Sequence, residues 1–262
     1  MRAILFDLDG VIYQGGQPIE GAADVIAWIR AEAIPHLFLT NTSSRPRSEL
    51  CRKLDGMGIA IDPDQILSPP AAAARWLRAQ SAGPVALFVP PATQTEFAGL
   101  PRWSGAGDQA VGAVVIGDLA EAWTFARLNQ AFQLLMVSPA PRLVALGMTR
   151  YWRTPTGLQL DAGPFVSALQ YATGIEPVVT GKPARAFFLS AADMLGLAPD
   201  QLLMVGDDIR GDVQGAQHAG LRAALVKTGK FQLQDLDSGV QPDLVLESVA
   251  SLPAWWQGHG RP

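Results

Sequence analysis

Charged and polar residues that could act on an anionic substrate occur at four places in the 262-residue chain. In chain order they are Asp7 and Asp9, Thr40 and Asn41, Lys182, and then Asp207 and Asp208 with Asp212. Each group follows a short apolar run of the kind that forms a buried strand. Because the carboxyl ends of parallel strands meet at one edge of a sheet, we expect these side chains to converge there.

The residue types indicate a particular chemistry. Several carboxylates at one edge of a sheet repel one another strongly unless a cation lies among them. A site made only of oxygen ligands favours Mg²⁺ over Zn²⁺. A lysine, a hydroxyl and an amide add the donors that an anionic, oxygen-rich substrate needs. The sequence therefore predicts a phosphate site beside a hard metal ion.

The spacing of Asp7 and Asp9 suggests how such a site would react. Two residues apart on an extended segment, both carboxylates can point the same way, and Gly10 then permits a sharp turn. Asp7 can attack phosphorus to form an aspartyl-phosphate, and Asp9 can protonate the leaving group and later activate water. Mg²⁺ and Lys182 would offset the repulsion between the attacking carboxylate and the phosphate.

Short apolar runs alternate with amphipathic stretches along the chain, which predicts an α/β fold with a doubly wound parallel sheet. Helices are predicted around 24–32 and from Pro46 onward, where Leu50, Leu54 and Met57 share a face. The predicted core strands are 3–6, 36–39, 177–180, 202–205, 221–227 and 243–246.

The distance between Thr40 and Lys182 predicts a second domain. These residues are 142 positions apart, whereas Asp9 and Thr40 are 31 apart, room for one helix. The intervening sequence has its own apolar runs at 85–89, 111–116 and 143–146. We therefore predict a core at 1–82 and 177–262 with an inserted α/β domain at 83–176.

The four groups resemble, in order, the motifs of the haloacid dehalogenase (HAD) superfamily. They are Asp7-Leu-Asp9-Gly10, Thr40-Asn41, Gly181-Lys182-Pro183 and the run from Gly206 to Asp212. The resemblance implies a Rossmann-like core and a magnesium-dependent phosphatase acting on a small phosphorylated metabolite. The position of the insertion resembles the class II branch, in which the inserted domain is a cap over the active site.

The resemblance also implies a role for each residue. Asp7 would be the nucleophile and Asp9 the acid and base. Thr40, Asn41 and Lys182 would bind the phosphate. The metal would be held by Asp7, the main-chain carbonyl of Asp9 and Asp207, supported from further out by Asp208 and Asp212.

Three further segments resemble the group of phospholysine phosphohistidine inorganic pyrophosphate phosphatases: 157–165, 206–217 and 227–231. Some members of that group lack the second acid of the first motif, whereas Asp9 is present here. Its presence favours hydrolysis of ordinary phosphate esters, with cleavage of phosphoamides or pyrophosphate as the alternative. A homodimer formed through the cap is a further expectation.

Other interpretations remain open at this point. Asp208 and Asp212 are equally well explained as acids at the start of a helix, where the macrodipole favours them. A receiver module of signalling proteins also carries Asp, Thr and Lys around Mg²⁺, but such modules are about half this length and have no cap. In the insert, Arg150 or Arg153 could meet a second anionic group of the substrate, with Asp161 as the next candidate.

The composition excludes several classes of protein. A net charge of −4 without a Lys/Arg run argues against a nucleic-acid partner. No apolar run approaches a membrane span, and Asp7 and Asp9 interrupt the N-terminal run too early for a signal peptide. One cysteine and three histidines argue against a disulfide framework or a zinc site. We expect a cytoplasmic protein whose partner is its small substrate.

Overall fold

The computed structural model describes residues 1–105, 110–154 and 157–259. The chain divides into two compact units. The first contains Met1–Thr40, Ser48–Leu67 and Lys182–Pro262, and the second contains Asn41–Arg47 and Ser68–Gly181. The predicted insert at 83–176 lies within the second unit, which also takes in residues on both sides of that range.

The described strands are β1 (Ala3–Asp7), β2 (Tyr13–Gln14), β3 (Gln17–Pro18), β4 (His36–Leu39), β5 (Ile66–Leu67), β6 (Val85–Phe88), β7 (Ala113–Ile116), β8 (Arg142–Ala145), β9 (Tyr151–Thr154), β10 (Gly157–Leu160), β11 (Val178–Val179), β12 (Leu202–Gly206), β13 (Arg222–Val226) and β14 (Leu244–Leu246). The described α-helices are α1 (Ala22–Ala31), α2 (Arg47–Asp55), α3 (Pro69–Ala79), α4 (Phe125–Leu135), α5 (Ala162–Thr173), α6 (Arg185–Leu195), α7 (Gly215–His218) and α8 (Leu252–His259). A π-helical turn, Ile209–Gln214, precedes α7.

The first unit is built on a six-stranded parallel sheet in the order β14-β13-β12-β1-β4-β5. From β1 the chain continues to one side through β4, and it returns on the other side through β12. The boundary between β1 and β12 is therefore the topological switch point, where ligands of open α/β sheets bind. The prediction of an α/β fold with a parallel core sheet is confirmed.

Strand β1 is buried along its whole length because the sheet is covered on both faces. Ile4 and Phe6 share one cluster with Ile26 and Ile29 of α1, the helical face that the spacing of apolar residues predicts. Full burial of each such side chain contributes about 1.5–3 kcal/mol, so β1 is held rigidly at the centre of the unit. A rigid β1 fixes the position of Asp7 at its end.

The second unit has its own four-stranded parallel sheet in the order β11-β8-β7-β6. One sequence prediction is wrong here. Residues 177–180 are predicted to be a core strand, but Val178 and Val179 pair with Val144 and Ala145 of β8. The prediction fails because a run of two valines suits any buried strand and does not indicate which sheet the strand joins. The hairpin of β9 and β10 is antiparallel.

Among the described helices, none combines the length and the apolar character that crossing a membrane requires.

Candidate active site

Three residues from distant parts of the chain meet at the carboxyl end of β1. Lys182 Nζ lies 2.6 Å from Asp7 Oδ1 and 2.7 Å from Asp212 Oδ1. All three side chains are buried, the most exposed being that of Asp7 at 8%. A lysine held between two buried carboxylates is fixed in place by charge-assisted hydrogen bonds. The convergence of Asp7 and Lys182, which the sequence predicts, is present in the structure.

Asp207 completes a cluster of carboxylates. It follows β12, the neighbour of β1 across the switch point, and its side chain is 1% exposed. One oxygen from each of Asp7, Asp207 and Asp212 lies within 4.8 Å of the others. We call Asp7, Asp207, Asp212 and Lys182 the acidic cluster.

Asp208 and Asp212 lie in the same turn but make different contacts. Asp208 Oδ1 accepts hydrogen bonds from the backbone N–H groups of Arg210 (3.0 Å) and Gly211 (2.8 Å), so it caps the π-helical turn. Although burial by itself would raise the pKa of Asp208, these bonds and Lys230 hold it below its ordinary value. Asp212, one turn later, instead enters the acidic cluster. The helix-start interpretation therefore fits Asp208, whereas Asp212 bonds directly to Lys182.

The segment after Asp7 turns sharply at Gly10, which has a φ of +91°. A side chain at this position would overlap the carboxylate of Asp207, so the site requires glycine for close approach as well as for backbone conformation. Asp9 is exposed just before the turn. Its side chain is not among those of the acidic cluster.

Thr40 and Asn41 follow β4, the other neighbour of β1. Thr40 is buried, and its backbone N–H donates to the carbonyl of Leu67 at 3.1 Å. It is the last residue of its segment in the first unit, whereas Asn41 belongs to the second unit. Thr40 thus ends on the same edge of the core sheet as Asp7 and Asp207.

The loop after β13 also reaches the acidic cluster, and the sequence assigns it no chemical role. The backbone N–H of Lys230 donates to Asp207 Oδ2 at 2.7 Å, and Thr228 Oγ1 donates to the carbonyl of Gly10 at 2.5 Å. Both residues lie within the segment 227–231, which the sequence marks only as one of three segments that resemble a group of phosphatases. The segment directly follows β13, another strand of the same parallel sheet, and this position at a strand end could have indicated that it belongs to the site.

The electrostatics of the cluster follow from burial. Burial raises the pKa of Asp207, and the neighbouring Asp7 raises it further. Burial also raises the pKa of Asp212, while Lys182 acts in the opposite direction. Burial by itself would lower the pKa of Lys182, but Asp212 and Asp7 raise it above its ordinary value. Without a bound cation, the protein therefore disfavours ionisation of Asp207 and Asp212.

A divalent cation fits this arrangement. When all are ionised, three carboxylates and one ammonium leave two negative charges uncompensated. Asp212 Oδ1 has the Lys182 ammonium beside it, whereas Asp207 Oδ1 is buried without a hydrogen-bond partner among the described residues. A buried, unpartnered carboxylate oxygen is costly unless a cation occupies its lone pairs. The all-oxygen donor set is the kind that Mg²⁺ or Ca²⁺ prefers.

Arg150, Arg153 and Asp161 are the candidate substrate contacts that the sequence suggests in the insert. Arg150 is exposed, with its guanidinium carbon 5.6 Å from the centre of the Tyr151 ring. The side chain of Arg153 lies outside the described residues. Asp161 caps α5 by accepting a hydrogen bond from the N–H of Ala162 at 2.6 Å, and burial raises its pKa.

Comparison with known proteins decides the family. A model of haloacid dehalogenase-like hydrolases matches residues 4–100, and a second, HAD-hydrolase-like model matches residues 179–252. The chain is 37% identical to the human phospholysine phosphohistidine inorganic pyrophosphate phosphatase over 239 residues, which are 90% of this chain and 86% of that protein. The chain belongs to the haloacid dehalogenase-like hydrolases.

Solved structures of HAD phosphatases share the fold. The p-nitrophenyl phosphatase of Archaeoglobus fulgidus superposes with a TM-score of 0.87 at 27% identity, covering 97% of this chain and 98% of that one. The glycerol phosphate phosphatase of Mycobacterium tuberculosis, crystallised in complex with calcium, gives a TM-score of 0.83 at 29% identity, covering 96% and 74%. The predictions of a HAD fold and of a phosphatase-type hydrolase are confirmed, and the receiver-module alternative is not supported.

Proposed function

We propose that the chain is a magnesium-dependent phosphatase that hydrolyses a small phosphorylated metabolite through an aspartyl-phosphate on Asp7. The observation that carries this proposal is the acidic cluster, in which Lys182 is locked between Asp7 and Asp212 beside the unpartnered oxygen of Asp207. The names of HAD relatives that act on phosphate compounds support it.

The residues divide the reaction into two displacements. A carboxylate oxygen of Asp7 attacks phosphorus, the bond from phosphorus to the leaving oxygen breaks, and Asp9 gives that oxygen a proton. Asp9, now a carboxylate, takes a proton from water as the water attacks the same phosphorus and the bond to Asp7 breaks. The products are an alcohol and phosphate, and both aspartates return to their starting states.

The remaining residues hold charge and orientation. Lys182 and Thr40 are proposed to bind the phosphate oxygens, and Lys182 also keeps the Asp7 carboxylate in one orientation. Asp7, Asp207 and the main-chain carbonyl of Asp9 are proposed to hold Mg²⁺, which would stabilise negative charge on the phosphate when bound. Asp212, whose Oδ1 lies 2.7 Å from Lys182 Nζ, is proposed to support this arrangement from further out.

A second candidate function rests on a relative. The human protein at 37% identity is named for phospholysine, phosphohistidine and inorganic pyrophosphate. The same two displacements would cleave P–N or P–O–P bonds, with Asp9 giving its proton to nitrogen or to a phosphate oxygen. Asp9 matters most for leaving groups that need protonation, such as the alkoxide of an ordinary ester.

The test combines turnover with trapping. Purified enzyme should hydrolyse p-nitrophenyl phosphate only with Mg²⁺, and exhaustive chelation should abolish the activity reversibly. Asp7→Asn should lower kcat on the order of 10³-fold or more, because it removes the nucleophile. Peptide mass spectrometry of acid-quenched wild-type enzyme should find phosphate on the peptide that contains Asp7.

The exposed Asp200 supplies a matched control, since Asp200→Asn makes the same chemical change away from the site. If Asp7→Asn kept more than about a tenth of wild-type activity, Asp7 could not be the nucleophile. A parallel screen of phosphate esters, phosphoamides and pyrophosphate at fixed Mg²⁺ separates the two candidate functions by their kcat/KM values.

A further inference from the structure

The loop after β13 contacts two parts of the proposed metal site, the side chain of Asp207 and the turn that follows Asp9. We infer that Thr228-Gly229-Lys230 is a positioning segment, which sets the oxygen that Asp207 presents to the metal and thereby sets the affinity for Mg²⁺. The inference rests on the proposed function, because it assumes that the acidic cluster binds the ion. It concerns residues outside the four HAD motifs.

The first contact selects between the two oxygens of Asp207. The backbone N–H of Lys230 occupies Oδ2 at 2.7 Å, whereas Oδ1 is buried without a partner in the part of the chain that the structure describes. A hydrogen bond to one oxygen restrains rotation of the carboxylate and leaves the other oxygen available to a metal ion. Partners of this kind, which orient a metal ligand without touching the metal, strongly affect metal affinity.

The second contact ties the same loop to the turn after Asp9. Thr228 Oγ1 donates to the carbonyl of Gly10 at 2.5 Å. The two backbones are also close, since a Cβ added to Gly229 would lie 2.5 Å from the Cα of Gly10. The loop therefore fixes the main chain beside Asp9, the proposed carbonyl ligand, as well as the side chain of Asp207.

Gly229 has no room for a side chain on its Asp207 side. An added Cβ would overlap Asp207 Oδ2, so a substitution must displace either the carboxylate or the loop. Gly229 also has a φ of +65°, which strains any other residue. A loss of function in a Gly229 variant could thus come from backbone strain alone, and the experiment must separate strain from contact.

The chain provides the required control at Gly196. Its φ is +64°, which matches that of Gly229, but an added Cβ would meet no atom within 4 Å. Gly196→Ala therefore introduces the same backbone strain as Gly229→Ala without the contact to Asp207. In metal-free thermal unfolding, Gly229→Ala should lose at least as much stability as Gly196→Ala, because it adds the overlap with Asp207 to the same backbone strain.

The deciding measurement is calorimetric titration of the full chain with MgCl₂ in the absence of substrate. Gly229→Ala should raise the Kd for Mg²⁺ about 10–100-fold, the range for removal of an orienting partner. Gly196→Ala should stay within about twofold of wild type, as expected for a substitution away from the site. Turnover of p-nitrophenyl phosphate by Gly229→Ala should recover as Mg²⁺ is raised, which a general structural defect would not allow.

A second pair of variants keeps the test decisive if Gly229→Ala fails to fold. Thr228→Val removes the hydroxyl at nearly constant shape and should weaken Mg²⁺ binding. Thr228→Ser keeps the hydroxyl and should bind Mg²⁺ as tightly as wild type.

The inference is overturned if wild type binds Mg²⁺ but Gly229→Ala matches Gly196→Ala, or if Thr228→Val matches wild type. A wild-type chain that binds no Mg²⁺ would instead refute the proposed function, and the inference with it.

Discussion

Replacing Lys182 with methionine removes the ammonium from the acidic cluster and leaves its carboxylates facing one another. Lys182 Nζ lies 2.6 Å from Asp7 and 2.7 Å from Asp212, and its side chain is 5% exposed. Methionine keeps an unbranched apolar chain of similar reach, so the change in packing is small. The perturbation is therefore mainly electrostatic.

The magnitude follows from burial. Removing one partner of a buried ion pair costs about 3–5 kcal/mol, because the remaining charge is neither paired nor hydrated. Lys182 has two such partners, and Asp212 is 1% exposed. We expect the metal-free Lys182→Met variant to lose about 3–5 kcal/mol of unfolding free energy near neutral pH.

The assay is urea denaturation in the presence of a chelator, with Lys227→Met as the control. Lys227 also forms an ion pair, 2.5 Å from Glu247, but the two side chains are 36% and 78% exposed. The control should lose no more than about 1 kcal/mol, because exposed ion pairs are well hydrated. A Lys182→Met variant as stable as Lys227→Met would refute the electrostatic reasoning about the cluster.

Two other predictions concern Asp9 and His36. Asp9→Asn should reduce kcat strongly with alkyl phosphates and weakly with p-nitrophenyl phosphate, whose leaving group needs little protonation; steady-state kinetics showing equal losses would make Asp9 structural. His36 donates from Nδ1 to the Ile34 carbonyl (2.9 Å), and burial lowers its pKa below 6.5. The folded state thus binds this proton less well than the unfolded state, so its stability should fall as the pH drops below about 6.5. Urea denaturation at about pH 7.5 and about pH 5.5 should show a smaller loss for His36→Gln than for wild type, and equal losses would contradict the assignment.

The convergence of Asp7 and Asp207 can be predicted from the sequence because strand ends in a parallel sheet converge. Asp7 and Asp207 follow β1 and β12, which pair residue by residue across the switch point. Apolar runs and polar ends are visible in a single sequence, and the sheet geometry then brings them together. Lys182 also reaches Asp7, but this reasoning does not explain why, because the strand before Lys182 pairs with β8 in the sheet of the second unit.

Other features depend on contacts that residue types do not encode. The N–H group that holds Asp207 belongs to the backbone of Lys230, and any residue except proline could supply it. Asp208 and Asp212 are both acids in one turn, and only their directions separate a helix cap from a partner of Lys182. Val178 and Val179 would suit either sheet, so their pairing with β8 had to come from the structure.

Because β1 lies at the centre of its sheet, one of its two neighbours is synthesised much later than β1 itself. Strand β1 pairs with β12, and about 200 residues must be synthesised between Asp7 and Asp207. At roughly 5–20 residues per second, the nucleophile and the metal ligand leave the ribosome about 10–40 s apart. The sheet of the second unit, β6 to β11, is complete in the chain before β12 emerges. During that interval β1 has partners on one side only, and its other edge is open to pairing with a neighbouring chain. Release of truncated chains that end before residue 202 should therefore yield aggregates, because β1, which is buried along its whole length in the folded protein, keeps an unpaired edge.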